Sequence, residues 1–353
     1  MLSPDERVIV FPAQAFQNSR GQWQLRIRAW FFEPESDSVV REGMRELLHE
    51  IIETEDDDLP DRFTEETEER IFDQRSRWFL VDNERHKQIQ IRLGNQIHTL
   101  QPSDSNGHSI TEITLTSDAL PDELQYRSRN HVSNDRPVIF RIEAETGNNS
   151  HVNSPAWFIP RGGISVISDI DDTIKITNVI DRSELIRRTF LREFEAVPGM
   201  AAVYREWQRR GYAFHYVSGS PWQLYPPLLE FMQAAGFPVG SFHLRMFRLK
   251  GHSVLDFIRS DGLEYKSPAI TDLLQTYPDR RFILVGDSGE QDPEVYARIA
   301  HQFPDQVKAI FIRDVTGEQV SHTRYRNLAI PAHIPLRVFQ EAGVLQSLRI
   351  TGL

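Results

Sequence analysis

The stretch Ile164-Ser165-Val166-Ile167-Ser168-Asp169-Ile170-Asp171-Asp172-Thr173 decides how this chain is read. A short apolar strand, Ile164–Ser168, runs straight into three carboxylates within four positions. A strand of that length and composition suits a sheet buried on both faces. The carboxylates repel one another, and packing requires none of them. A divalent cation makes them reasonable, since Mg²⁺ takes hard oxygen ligands and keeps positions open for water and phosphate.

Working outward, the same strand-then-helix rhythm continues to the C-terminal side. Ala213–Ser218, Phe242–Phe247, Phe282–Gly286 and Lys308–Ile312 read as short buried strands. Helices with legible ends lie between them. Met200, Val203, Tyr204 and Trp207 form an apolar stripe closed by Gly211. Ser267-Pro268 and Asp292-Pro293 each read as an N-cap followed by the first helical residue. Strands alternating with helices predict an α/β fold with a doubly wound parallel sheet, whose ligands bind beyond the C-terminal strand ends.

The remaining strand ends carry matching chemistry. Gly286-Asp287-Ser288-Gly289-Glu290-Gln291-Asp292 brings a second acidic cluster, which converges with the first if the two strands are neighbours. Ser218-Gly219-Ser220 offers hydroxyl and backbone donors beside a flexible glycine. Lys266 stands before a helix start, where ammonium and helix dipole favour the same anion, and is preferred to Lys250 for that and for its spacing to the fourth strand. Lysine is scarce, with only Lys87, Lys175, Lys250, Lys266 and Lys308, so its placement carries weight. Metal-held carboxylates, a hydroxyl and a lysine together suit phosphoryl transfer, which rests on positioning and charge neutralisation.

The ordered set Asp169-x-Asp171-x-Thr173, Ser218, Lys266 and Gly286-Asp287-xxxx-Asp292 resembles the four motifs of the haloacid dehalogenase superfamily of phosphohydrolases. Within it, Ser168–Lys175, Tyr216–Trp222 and Leu284–Pro293 resemble the Mg²⁺-dependent phosphatidate phosphatases of the yeast actin-patch type, which are lipin-like. The resemblance covers roughly residues 160–315. It implies a Rossmann-like domain with a small flap and no large cap. It also implies hydrolysis of phosphatidate to diacylglycerol and phosphate through an aspartyl-phosphate. Asp169 is then the nucleophile. Asp171 is acid, then base, and lends its peptide carbonyl to Mg²⁺. Asp169, Asp171, Asp287 and Asp292 serve the metal, Ser218, Gly219 and Lys266 the phosphoryl group, and Thr173 orders the loop. Lipins carry glycine after the DxD, whereas this chain has Asp172, whose role stays open.

The first half reads differently. Arg7–Phe11, Gln22–Phe32, Gln88–Leu93, Ile110–Leu115 and Val138–Ile142 alternate or run apolar as strands, with helices expected over Ser38–Glu53 and Glu65–Arg77. The expectation is a β-rich sandwich- or barrel-like domain over residues 1–155 with a helical insertion, followed by a catalytic domain over 156–353. The polar, turn-rich segment Thr146–Pro155 marks the junction. Glu53–Asp58 is read as a solvated acidic loop.

Composition narrows the function. Cysteine is absent from the chain, which excludes disulfides, thiolate zinc sites and cysteine nucleophiles. Residues 1–160 hold 29 Asp and Glu against 17 Lys and Arg, the wrong sign for a nucleic-acid partner. The first residues lack a signal-peptide pattern, and no run of about 18 apolar residues occurs, so the expected location is cytoplasmic, with peripheral contact at membrane surfaces. Such contact could come from Leu185, Ile186, Phe190, Leu191 and Phe194, interleaved with Arg182, Arg187, Arg188 and Arg192, as a basic amphipathic helix. The same pattern equally fits a helix packed on the domain core. Trp222 and Tyr225 read as pocket wall or core, and His215, His243 and His252 as structural. Two other functions stay open: a phosphatase for a soluble phosphomonoester or a phosphoprotein, and an inert binding protein whose first domain recruits a protein partner. Retention of both Asp169 and Asp171 argues against the inert reading.

Overall fold

The computed structural model describes residues 2–34, 66–129, 135–145, 151–247 and 262–346. The expected helix over 38–53, the acidic run 53–58, Lys250 and His252 lie outside the described residues.

Alternation of buried and solvent-facing side chains builds the first sheet. Its strands are β1 (Arg7–Val10), β2 (Ala13–Gln17), β3 (Trp23–Pro34), β4 (Val81–Asn83), β5 (Gln90–Leu93), β6 (Gln96–Thr99), β7 (His108–Thr114), β8 (Val138–Glu145) and β9 (His151–Phe158). They follow the order β1-β3-β2-β9-β8-β5-β6, with β4 and β7 also paired to β3. Trp23, Leu25, Ile27 and Ala29 of β3 point inward at every second position, onto a core with Ile91, Ile142 and Phe158. The sheet curls over that core. Gln96 of β6 donates to Thr116, just past β7, at 2.6 Å, and Ser109 of β7 donates to the Gln101 carbonyl at 2.6 Å. Two helices accompany it, α1 (Glu66–Ser76) and α2 (Asp122–Arg129).

The turn-rich junction expected to end at 155 is occupied, from His151 on, by β9. Its polar residues pair with β8 along the whole strand, while β2 reaches only Ala156–Phe158. Pro155 therefore lies where the strand has one partner, and its missing N–H costs no ladder bond on the β2 side. The passage to the second sheet falls between Phe158 and Ile164.

The second sheet contains β10 (Ile164–Ser168), β13 (Ala213–Pro221), β14 (Ser241–Arg245), β15 (Arg281–Asp287), β16 (Val307–Arg313) and β17 (Leu336–Phe339). A separate pair, β11 (Lys175–Ile176) and β12 (Glu195–Ala196), lies antiparallel. The six-stranded order is β14-β13-β10-β15-β16-β17, parallel throughout. The chain fills one side of β10 first and then crosses to the other. The gap beyond the C-terminal ends of β10 and β15 is thus the switch point at which doubly wound sheets bind ligands. The expected α/β fold is borne out.

Helices cover both faces: α3 (Arg182–Phe190), α4 (Met200–Arg209), α5 (Tyr225–Ala235), α6 (Gly262–Thr276) and α7 (Asp292–Gln302), with short α8 (Thr323–Arg326) and α9 (Gly343–Gln346). Val166, Ile283 and Val285 face one core and Ile167, Leu284 and Ile310 the other. The first core also takes Phe11, Trp30 and Phe72 from the β-rich half. Phe11 meets Trp222 with ring centroids 4.4 Å apart and Tyr225 at 4.8 Å. Trp222 and Tyr225 are therefore core residues. The small flap runs from β11 through α3 to β12. The apolar face of α3 is turned inward, with Ile186, Phe190 and Leu191 buried in the core, so the packed reading of this helix holds and the membrane-facing one does not.

Candidate active site

Strand β10 ends at Ser168, and the next residue is fixed by its own backbone: Asp169 N donates to the Val285 carbonyl of the adjacent strand at 2.9 Å. This bond places the first acidic cluster beside the second. Asp169, Asp287 and Asp292 are fully buried, and one carboxylate oxygen from each lies within 4.8 Å of the others. Asp287 holds its loop by accepting from Gly289 N at 2.7 Å and Glu290 N at 3.2 Å. Asp292 reaches back to accept from Asp287 N at 3.2 Å. Gly286 is required for that approach, because a Cβ there would overlap the Asp292 carboxylate. Asp292 stands at the first position of α7, one residue off the expected register, with Gln291 as an N-cap whose side chain makes no cap bond among the described residues.

Lys266 answers this charge. Its ammonium lies 2.8 Å from Asp169, 2.6 Å from Glu290 and 2.6 Å from Asp292. Burial alone would lower the Lys266 pKa, but Asp169, Asp292 and Glu290 drive it well above the ordinary lysine value. The expected position of Lys266 at a helix start is corrected here. α6 is already helical at Gly262, and Pro268 lies inside it, so Lys266 is in the helix body. Direct carboxylate contacts, with no helix terminus, hold the ammonium.

One ammonium does not neutralise four carboxyl groups. Burial first, then Asp292 and Glu290, raise Asp287 well above the usual carboxylate range, and Asp169 is raised chiefly by burial. Oδ2 of Asp169 and Oδ2 of Asp287 are buried and accept no hydrogen bond from the described residues. Buried, unpaired oxygens in a locally anionic pocket fit a hard divalent cation.

Asp171 occupies a separate, saturated pocket. One oxygen accepts from Ser218 at 3.1 Å and Ser220 at 2.9 Å. The other takes Thr177 at 2.8 Å and the Lys175 ammonium at 2.7 Å. Burial would raise its pKa, but Lys175 and these hydrogen bonds bring it down to about 2. Its side chain is outside the trio that faces the candidate cation.

Residues 164–314 match the family described as "Phosphatidate phosphatase APP1, catalytic domain". Among curated proteins, the chain is 37% identical over 163 residues to "Phosphatidate phosphatase APP1" of Saccharomyces cerevisiae, covering 45% of this chain and 27% of that one. It is 32% identical over 197 residues to an uncharacterized protein of Schizosaccharomyces pombe, covering 55% of this chain and 32% of that one. The chain spans about a third or less of the length of these curated relatives. A solved structure of phosphoserine phosphatase in its apo form overlays at TM-score 0.33 with 10% identity, over 52% of this chain and 98% of that one.

The second sheet thus brings Asp169, Lys266, Asp287 and Asp292 to one point and Asp171 with Ser218 to the next. Gly219 lies open, and an added Cβ there would meet nothing within 4 Å. Thr173 is fully buried, but its hydroxyl has no hydrogen-bond partner among the described residues, so no hydrogen bond there makes it order the loop. Asp172 does so: it accepts from the backbone N–H of Thr177 and Asn178 at 2.9 Å and of Val179 at 2.6 Å. Its own φ is +50°, a left-handed turn that an aspartate tolerates better than most side chains. Sequence reasoning took Glu290 and Ser220 only as members of their motifs and assigned no role to Lys175 or Thr177. Nor did it find Arg324, which braces the β15 loop by donating to the Ser288 and Glu290 carbonyls at 2.6 Å. The scarcity of lysine was a usable signal for Lys175. No pattern marked Arg324.

Proposed function

We propose that this chain is a Mg²⁺-dependent phosphatidate phosphatase, hydrolysing phosphatidate to diacylglycerol and phosphate through an aspartyl-phosphate on Asp169. The observation that carries the reading is the buried trio Asp169, Asp287 and Asp292 with its unpartnered oxygens. The identity to the APP1 catalytic region supports the substrate class. Asp169, Asp287 and Asp292 would hold Mg²⁺, which when bound supplies positive charge against the phosphoryl oxygens.

A carboxylate oxygen of Asp169 forms the new bond to phosphorus while the bond to the glycerol oxygen breaks. The departing oxygen takes a proton from Asp171. Water then attacks the same phosphorus, gives its proton to Asp171, and frees Asp169 with release of phosphate. Asp171 begins as a carboxylate tied to Lys175, so it must gain a proton before the first step. A phosphate dianion arriving beside it favours that gain, since a neighbouring negative charge raises a carboxyl pKa. Lys266 steadies Asp169 and the incoming charge. Contact with the lipid surface is peripheral on this reading; among the described residues no helix is long and apolar enough to cross a membrane.

The test is phosphate release from phosphatidate in mixed micelles, compared with a panel of soluble phosphomonoesters, with and without Mg²⁺. Hydrolysis of phosphatidate that needs the ion is expected. A preference for the soluble panel overturns the lipid assignment, and turnover undiminished in chelator overturns the metal.

A further inference from the structure

We propose that Arg75, contributed by the β-rich half, is a positioning residue for Asp171 that acts through Phe194 and Lys175. The inference rests on the phosphatase reading for its kinetics and on geometry for its existence.

The contact begins at the end of the flap helix. The last carbonyls of α3 have no partner within the helix. Arg75, at the end of α1 and 4% exposed, donates to two of them, Arg188 O at 3.1 Å and Thr189 O at 2.6 Å. A cation at this end also suits the helix dipole. The same guanidinium lies 3.7 Å from the centroid of the Phe194 ring. Phe194 precedes β12, whose Ala196 is paired with Lys175 of β11. The Lys175 ammonium, 2% exposed, is 4.8 Å from that ring and 2.7 Å from Asp171. One aromatic ring thus meets a cation from each half of the molecule, and the second cation grips the side chain that handles the proton. The Thr177 hydroxyl at 2.6 Å, itself bonded to Asp171, completes the surroundings of Lys175. Displacing Phe194 therefore frees Lys175 to move and Asp171 with it.

Removing the guanidinium leaves the two carbonyls and the ring without their restraint. Arg75→Ala is expected to lower kcat roughly ten-fold with KM nearly unchanged, a cost in keeping with a sub-ångström misplacement of a reacting group. Arg75→Lys keeps the charge but loses the planar fork, and restores kcat part-way. Phe194→Leu, which keeps most of the apolar volume, reproduces the loss should Arg75→Ala fold poorly. Lys175→Met lowers kcat itself, and in that background Arg75→Ala adds little, because both act on one path. Multiplying losses, or an active wild type with an unchanged Arg75→Ala variant, overturn the inference while the phosphatase reading stands. A wild type without turnover overturns that reading instead. Amide exchange then still decides the inference: Arg75→Ala deprotects Thr177–Val179 if the relay is real, and an exchange change confined to α1 and α3 overturns it.

Discussion

Two pockets lie side by side at the end of β10, and they treat carboxylates in opposite ways. Around Asp169, Asp287 and Asp292, acidic groups outnumber cations and buried oxygens have no partner among the described residues. Around Asp171 and Asp172, every carboxylate oxygen is matched with a hydroxyl, an ammonium or a backbone N–H. Both pockets look alike as runs of aspartate. Their difference is in the partners that the fold delivers, and it distinguishes a place awaiting positive charge from one already balanced.

The comparison breaks most sharply at Asp169. Asp169→Asn keeps the shape and removes the nucleophile, and a loss of about 10⁴-fold or more in turnover is expected. Persisting hydrolysis would reject the assignment. In stability the pockets should separate by sign. Asp171→Asn strips Lys175 of its buried counter-charge and is expected to cost about 3 kcal/mol in chemical denaturation. Asp287→Asn relieves repulsion in the metal-free protein, and is expected to raise stability by roughly 1 kcal/mol while abolishing any gain from added Mg²⁺. Equal destabilisation by both substitutions would erase the distinction.

Metal and pH sharpen the same contrast. Saturating Mg²⁺ should stabilise the wild type by about 3 kcal/mol at one hundred times its dissociation constant, read as a rise in thermal midpoint that chelator reverses. The raised groups Asp169 and Asp287 favour the protonated folded state. Without metal, their contribution is present at low pH and is lost as pH rises through their elevated pKa values. Asp171 runs the other way: lowered from 3.8 to about 2, it stabilises above its ordinary value and loses that contribution as pH falls toward 2. The Mg²⁺ increment should therefore grow with pH, since the ion replaces protons. A midpoint shift independent of pH would contradict this.

The fold was legible where periodicity was strong. The apolar strands of the second half and the stripe on α4 came directly from residue spacing, and with them the nearness of Asp169 to Asp287. What stayed hidden depends on contacts across long stretches of chain. β9 carries asparagine, serine and proline, and becomes a strand because β8 is there to pair with it. Lys175 is an ordinary polar position until β12 folds back upon it. Lys266 meets the acidic cluster, but the Ser267-Pro268 pair that suggested a helix start beside it lies within α6.

The smallest effect tests the balanced pocket from within. Thr173 and Asp172 are adjacent in sequence and both buried. Asp172 accepts three backbone N–H bonds, whereas the Thr173 hydroxyl accepts and donates none among the described residues. Asp172→Ala leaves those N–H groups unpaired and removes a side chain suited to the left-handed turn, so a loss of about 2 kcal/mol is expected. Thr173→Val keeps the volume and removes a hydroxyl with no partner, so stability should change by less than about 0.5 kcal/mol or rise slightly. Denaturant midpoints of the two variants decide the matter. A Thr173→Val cost as large as that of Asp172→Ala would mean that the hydroxyl holds the loop after all, and that three backbone bonds to one aspartate are a poor guide to what orders it.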